Sequence, residues 1–128
     1  MARILVIDDD RFVRQAICLA LTEAGHQIDE AENGADGLAS VVAGLPDLVI
    51  TDLIMPEREG IETILTLRRM APALPIIAMS GGGRIGPSDL LAAAQRLGAT
   101  TTLRKPFDDV ELIAQIDRAL GEPSPEAC

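Results

Sequence analysis

At 128 residues, with 48% apolar and 24% charged side chains, the chain has the balance of one globular domain and length enough to bury a core. Eleven basic residues against 20 acidic ones leave a net charge of −9, which excludes the basic footprint of a nucleic-acid binder. No apolar run approaches the ~20 residues of a membrane-spanning helix, and a single histidine, His26, excludes a histidine-rich metal centre.

The chain enters an apolar strand at once, Ala2 to Ile7, with no basic-then-apolar leader before it; this is the start expected of a cytoplasmic protein. A continuous β-branched run of this kind suits a strand covered on both faces. Asp8-Asp9-Asp10 follows, and Asp10 is placed to cap a helix from Arg11 to Ala24. Val13, Ala16, Ile17, Ala20 and Leu21 form its apolar face, Cys18 falls in the same pattern, and Gly25 suits its C-terminal stop, with His26 in the turn beyond. Gln27 to Ala31 alternates acids with apolar residues, as an edge strand does. Asn33 caps a helix from Gly34 to Ala43, ended by Gly44 and Pro46.

Asp47 to Thr51 is a third strand, fully apolar at Leu48-Val49-Ile50, that runs into Asp52. A loop from Leu53 to Gly60, containing Pro56, leads to a helix that reaches Met70 and stops at Pro72. Ile76 to Met79 is the fourth strand and runs into Ser80. After the glycine-rich Ser80–Pro87 loop, Ser88 caps a helix through Leu97, closed by Gly98. Thr100 to Arg104 is the fifth strand and meets Lys105-Pro106. Asp108 caps a last helix whose face is Val110, Ile113, Ile116, Ala119 and Leu120, and Gly121 stops it. Residues 1–121 make one domain, and 122–128 read as a flexible tail ending in an exposed thiol at Cys128.

Helical crossovers between successive strands require a parallel sheet with helices on both faces, a three-layer doubly wound (βα)5 architecture. In such a sheet every strand ends on the same edge, which is where open α/β sheets bind ligands. Asp8, Asp9, Asp52, Ser80 and Lys105 therefore converge. Carboxylates this close need a compensating cation, and a hard ion such as Mg²⁺ with oxygen ligands suits them. A metal, an ammonium and a hydroxyl together can spread the charge of a phosphoryl group in transfer. No serine, cysteine or histidine is paired as a nucleophile and base, so a carboxylate is the expected acceptor.

These residues resemble the receiver domain of two-component response regulators. The resemblance rests on Ile4-Leu5-Val6-Ile7-Asp8-Asp9-Asp10, Leu48-Val49-Ile50-Thr51-Asp52-Leu53-Ile54-Met55-Pro56, Met79-Ser80, Leu97-Gly98-Ala99 and Lys105-Pro106-Phe107, and spans residues 2 to about 120. It implies a flavodoxin-like five-stranded sheet of order 2-1-3-4-5 and a cis Lys105–Pro106 bond. It implies Asp52 as phosphoacceptor from a histidine kinase or histidine phosphotransfer protein, with Mg²⁺ held by Asp8, Asp9, Asp52 and the Ile54 carbonyl. Ser80 and Lys105 would contact the phosphoryl group, and the face of helix four, strand five and helix five would bind a downstream protein. A stand-alone receiver follows, a monomer or weak dimer without direct nucleic-acid or membrane binding and with no enzymatic turnover beyond its own phosphorylation and dephosphorylation.

Three positions depart from the family pattern. Thr102 stands where receivers carry Tyr or Phe, which assigns the conformational response to the Gly81–Gly86 loop and the helix after it. Thr100-Thr101-Thr102 lacks the acids through which some receivers pair. Ile54 cannot position water, which points to slow loss of phosphate. The rival readings are a Mg²⁺-dependent phosphoaspartate phosphatase, disfavoured because Ile54 stands where a second acid would serve, and a phosphate sink or shuttle. A flavin-binding domain of the same topology lacks the aromatics to enclose the ring.

Overall fold

The computed structural model describes residues 2–53, 59–81 and 87–121. Five strands and five helices alternate along the chain: β1 (Arg3–Ile7), α1 (Arg11–Glu23), β2 (Gln27–Ala31), α2 (Gly34–Ala43), β3 (Leu48–Asp52), α3 (Glu59–Met70), β4 (Ile76–Ser80), α4 (Pro87–Leu97), β5 (Thr101–Arg104) and α5 (Asp109–Ala119). All strand pairs are parallel, in the order β2-β1-β3-β4-β5. The flavodoxin-like receiver fold expected from the sequence is the fold found.

Alternation along the strands splits the core in two. Leu5, Ile7, Val49, Ile76 and Ala78 pack with Ile64 and Leu67 of α3 and Ala94 of α4 on one face. Ile4, Val6, Leu48, Ile50, Ile77 and Met79 pack with Ile17 and Leu21 of α1 and Leu112 and Ile116 of α5 on the other. Period-2 geometry alone assigns neighbouring residues to opposite layers, so a strand apolar at every position needs helices on both sides. β1, β3 and β4 are buried almost throughout, and β2 at the edge is the most exposed strand.

The helix starts follow capping chemistry. Asp10 accepts from the amides of Phe12 and Val13, Asn33 from Asp36, and Asp108 from Glu111. Gly25, Gly98 and Gly121 take positive φ where α1, α4 and α5 end. The structure corrects several details. α4 begins at Pro87 rather than after a Ser88 cap, because proline suits the first helical turn, where no amide donor is required. On α5, Ile116 and Ala119 are buried and Ile113 and Leu120 pack against the core as expected, but Leu112 takes the place expected of Val110, which is 77% exposed. On α1, Ala16 is exposed, and Cys18 is half-buried at the rim rather than in the core. His26 does more than mark a turn: its Nδ1 accepts the Ala2 amide at 3.0 Å. The 122–128 tail and Cys128 lie outside the described residues.

The edge of the sheet where the strands begin is tied by one side chain. Arg68, in the last turn of α3, donates to the carbonyls of Ala71 (3.3 Å), Pro72 (2.8 Å), Leu74 (2.8 Å) and Gly98 (3.2 Å from Nε). Its planar fork thus closes α3, the turn into β4 and the turn after α4 at once. Replacing Arg68 with Ala is expected to cost about 2 kcal/mol in urea unfolding, because four carbonyls lose a charged donor. Arg68→Lys should recover less than half of that loss, since one ammonium cannot span two loops.

Candidate functional site

At the opposite edge the strand ends bring together residues separated by most of the sequence. Asp8 leaves β1 fully buried, and Asp9, the next residue, is exposed. Asp52 is the last residue of β3 and is 4% exposed. One carboxylate oxygen from each of Asp8, Asp9 and Asp52 lies within 4.8 Å of the other two. An all-oxygen donor set of this size fits a hard divalent cation such as Mg²⁺, which binds through a few carboxylates and keeps part of its water.

Lys105 enters this cluster from the far side of the sheet. Its ammonium donates to Asp8 Oδ2 at 2.9 Å and lies 3.4 Å from Asp52 Oδ2. The strand connections place it there: the Lys105 amide donates to the Ser80 carbonyl, extending the β4–β5 ladder by one bond. The peptide bond to Pro106 is cis. Burial works against the charge on Lys105, but hydrogen bonding and charge from Asp8 and Asp52 outweigh it and hold the pKa above lysine's ordinary 10.5. For a base whose folded pKa is raised, the stabilisation is present at full strength at neutral pH. It fades only as pH climbs past 10.5 and through the raised value.

Ser80 closes β4 on this edge, fully buried, and its hydroxyl has no hydrogen-bond partner among the described residues. A buried hydroxyl left unpaired costs free energy, and it is a donor ready for an oxyanion. Thr101 carries the other such hydroxyl, three residues before the end of β5. Thr102 is half-buried, in register with Ala78. The structure thus brings Asp8, Asp9, Asp52, Ser80 and Lys105 to one edge. Ile54 and residues 82–86 of the Gly81–Gly86 loop lie outside the described residues.

Two residues at this edge were not singled out from the sequence. Gly60 is buried in the first turn of α3, where a Cβ would sit 2.4 Å from the Asp52 carbonyl oxygen and 2.5 Å from Leu53 Cα. Its lack of a side chain is what lets α3 close over the end of β3. The expected loop hid it, because the helix begins at Glu59, before this glycine. Arg14 on α1 donates from Nη1 to the Asp8 carbonyl at 2.5 Å. From sequence it reads as an ordinary polar position on an amphipathic helix.

Residues 4–117 match the sequence model of the response regulator receiver domain. The chain is 38% identical over 126 residues to the DNA-binding transcriptional regulator NtrC of Azospirillum brasilense, covering 98% of this chain and 26% of that protein. It is 35% identical over 124 residues to the response regulator MprA of Mycobacterium sp. (strain KMS), covering 97% of this chain and 53% of MprA. The chain therefore spans between a quarter and about half of the length of these relatives. Among solved structures, the receiver domain of NtrX from Brucella abortus superimposes with a TM-score of 0.86 at 29% identity, covering 92% of this chain and 98% of that one.

The contacts around the two closely packed helical glycines give different expectations. Gly60→Ala drives a methyl into backbone that cannot move aside, and should cost about 2–3 kcal/mol in denaturant unfolding. Gly37→Ala in α2 meets the Ile7 side chain (Cδ1 at 2.4 Å, Cγ1 at 2.8 Å) rather than backbone, and better helix propensity offsets part of that clash. The Gly37 variant is expected to be the more stable of the two; the reverse order would mean that α3 does not rest on β3 as described.

Proposed function

Because this chain belongs to the response regulator receiver domain family, we propose that it is a phosphorylation switch of two-component signalling, with Asp52 as the phosphoacceptor. The observation that carries the reading is the Lys105 ammonium shared between two buried carboxylates at the ligand-binding edge of the sheet. Burying two acids this closely, with a third beside them, costs stability, and a merely structural strand end has no need of them.

In the proposed reaction an oxygen lone pair of Asp52 attacks the phosphorus of a phosphohistidine on a histidine kinase or histidine phosphotransfer protein. The phosphorus–nitrogen bond breaks, the imidazole nitrogen leaves with the bonding pair, and an acyl phosphate remains on Asp52. Mg²⁺, held by Asp8, Asp9, Asp52 and the Ile54 carbonyl, supplies positive charge to the phosphoryl oxygens when bound. Lys105 trades the Asp52 oxygen for a phosphoryl oxygen, and the Ser80 hydroxyl donates to another. The phosphodonor docks beside α1, where a cleft of about 350 Å³ lined by Val13, Ile17, Phe107 and Leu112 reaches Lys105.

The output passes to a protein partner through α4, β5 and α5. Support comes from position: β5 is the edge strand next to the strand that carries Ser80, and both helices pack on it. The Thr102 hydroxyl replaces the family's aromatic at the centre of this face. The reading also places the protein in the cytoplasm as a monomer or weak dimer. No helix among the described residues is long and apolar enough to cross a membrane.

Incubation with acetyl phosphate and Mg²⁺, followed by intact-mass measurement, tests the reading. One phosphate adduct is expected on the unaltered chain, not formed when the metal is chelated before acetyl phosphate is added, and absent in Asp52→Asn. Asp9→Asn should reduce the rate of adduct formation by at least about tenfold. An adduct of equal yield in the Asp52 variant would place the acceptor elsewhere.

A further inference from the structure

Asp9 differs from its two neighbours in the acid cluster. Its carboxylate is exposed and makes no hydrogen bond or ion pair among the described residues. Asp8, by contrast, is held by Lys105 on one oxygen and the Asp10 amide on the other. The direction in which Asp9 points is therefore inherited from its backbone. Both peptide units that flank it are fixed. On the C-terminal side the Asp10 amide donates to Asp8 Oδ1 at 2.9 Å. On the N-terminal side the Asp8 carbonyl accepts from Arg14 Nη1 at 2.5 Å.

Arg14 is itself held. Its Nε donates to Glu30 Oε1 on β2 at 3.3 Å, and its side chain is only 13% exposed. Glu30 also lies near the Cys18 thiol, one helical turn beyond Arg14 on α1. Burial, and then the charge of Glu30, push that thiol up to about 11. The path from β2 through Arg14 to the end of β1 is continuous, with the Arg14 side chain 13% exposed and Glu30, at its outer end, 47% exposed.

We propose that Arg14 is a positioning residue for the metal site. By holding the Asp8–Asp9 peptide plane it aims the Asp9 carboxylate at the other two acids, with Glu30 fixing the guanidinium. The inference rests on the reading of Asp8, Asp9 and Asp52 as the Mg²⁺ ligands. Among the described residues the side-chain bonds of Arg14 go to Glu30 and the Asp8 carbonyl, and none to a carboxylate of the cluster. Its charge alone opposes a cation bound nearby. Electrostatics and geometry therefore make opposite predictions for its removal.

Isothermal calorimetry with MgCl₂ on the whole chain, at a temperature where each variant is folded, separates them. Arg14→Met is expected to weaken Mg²⁺ binding by about tenfold, the size seen when groups that orient metal ligands are removed. Arg14→Lys, which keeps the charge and one donor, should recover part of the affinity. Glu30→Gln, which leaves Arg14 in place but loosens it, should weaken binding less than Arg14→Met, and it carries the test if that variant does not fold. Without metal, amide exchange at Asp10 should quicken in Arg14→Met, because the neighbouring peptide is freed. Equal or tighter Mg²⁺ binding in Arg14→Met, with or without a lowered melting temperature, overturns the proposal and leaves the metal site standing. Failure of the unaltered chain to bind Mg²⁺ removes both.

Discussion

Three carboxylates within 4.8 Å of one another, two of them buried, set the terms for everything else at this edge of the sheet. Like charges at such distances repel by several kcal/mol even at an effective dielectric of ~20, and apolar strands behind them offer no relief. Lys105 answers that repulsion, lying 2.9 Å from Asp8 and 3.4 Å from Asp52. It is four-fifths buried, and it takes that place because β4 and β5 pair one residue beyond the ladder through the Ser80 carbonyl. Gly60 lets α3 press on the Asp52 carbonyl, and Arg14 fixes the peptide from which Asp9 departs. On the proposed reading, a divalent cation and a phosphoryl group would add charges of opposite sign at this same place. A site so balanced is stable in either state only while the surrounding backbone stays still.

Much of this was legible in the sequence, for identifiable reasons. Apolar runs that end in polar residues gave the strands and their shared edge, because parallel topology leaves one place for all the ends. Asp10, Asn33 and Asp108 were read as caps and act as caps, since capping is local chemistry within a turn. The misreadings arose where tertiary packing decides. Val110 and Leu112 are both plausible core residues by periodicity, and only the way α5 lies on β5 selects Leu112. Gly60 and Arg14 act through backbone atoms of Asp52 and Asp8, remote in sequence or hidden from side-chain patterns. A pattern of side chains carries little record of who touches a carbonyl.

The two edges of the sheet are built on different principles. At the edge where strands begin, Arg68 gathers four backbone carbonyls into one hydrogen-bonded knot. At the edge where strands end, side chains of like charge are crowded and one buried hydroxyl, Ser80, has no partner among the described residues. The first arrangement satisfies polar groups and contributes stability. The second holds them in reserve, the usual mark of a place where chemistry rather than packing has set the residues. Thr102 stands inside β5, in register with Ala78, and brings only a small hydroxyl to the strand beside the one that ends in Ser80.

The Lys105–Asp8 contact joins residues 97 apart in sequence. Such a bond cannot form early in folding, because closing so large a loop is entropically costly until β3 and β4 already bridge it. The acid–lysine cluster thus comes into being only when the first strand and the last have both been placed. During synthesis the nascent chain exposes its Asp8-Asp9-Asp10 run long before Lys105 leaves the ribosome, and in that interval the carboxylates lack their ammonium. On the reading of this cluster as a phosphoacceptor site, competence to take a phosphoryl group would follow completion of the fold.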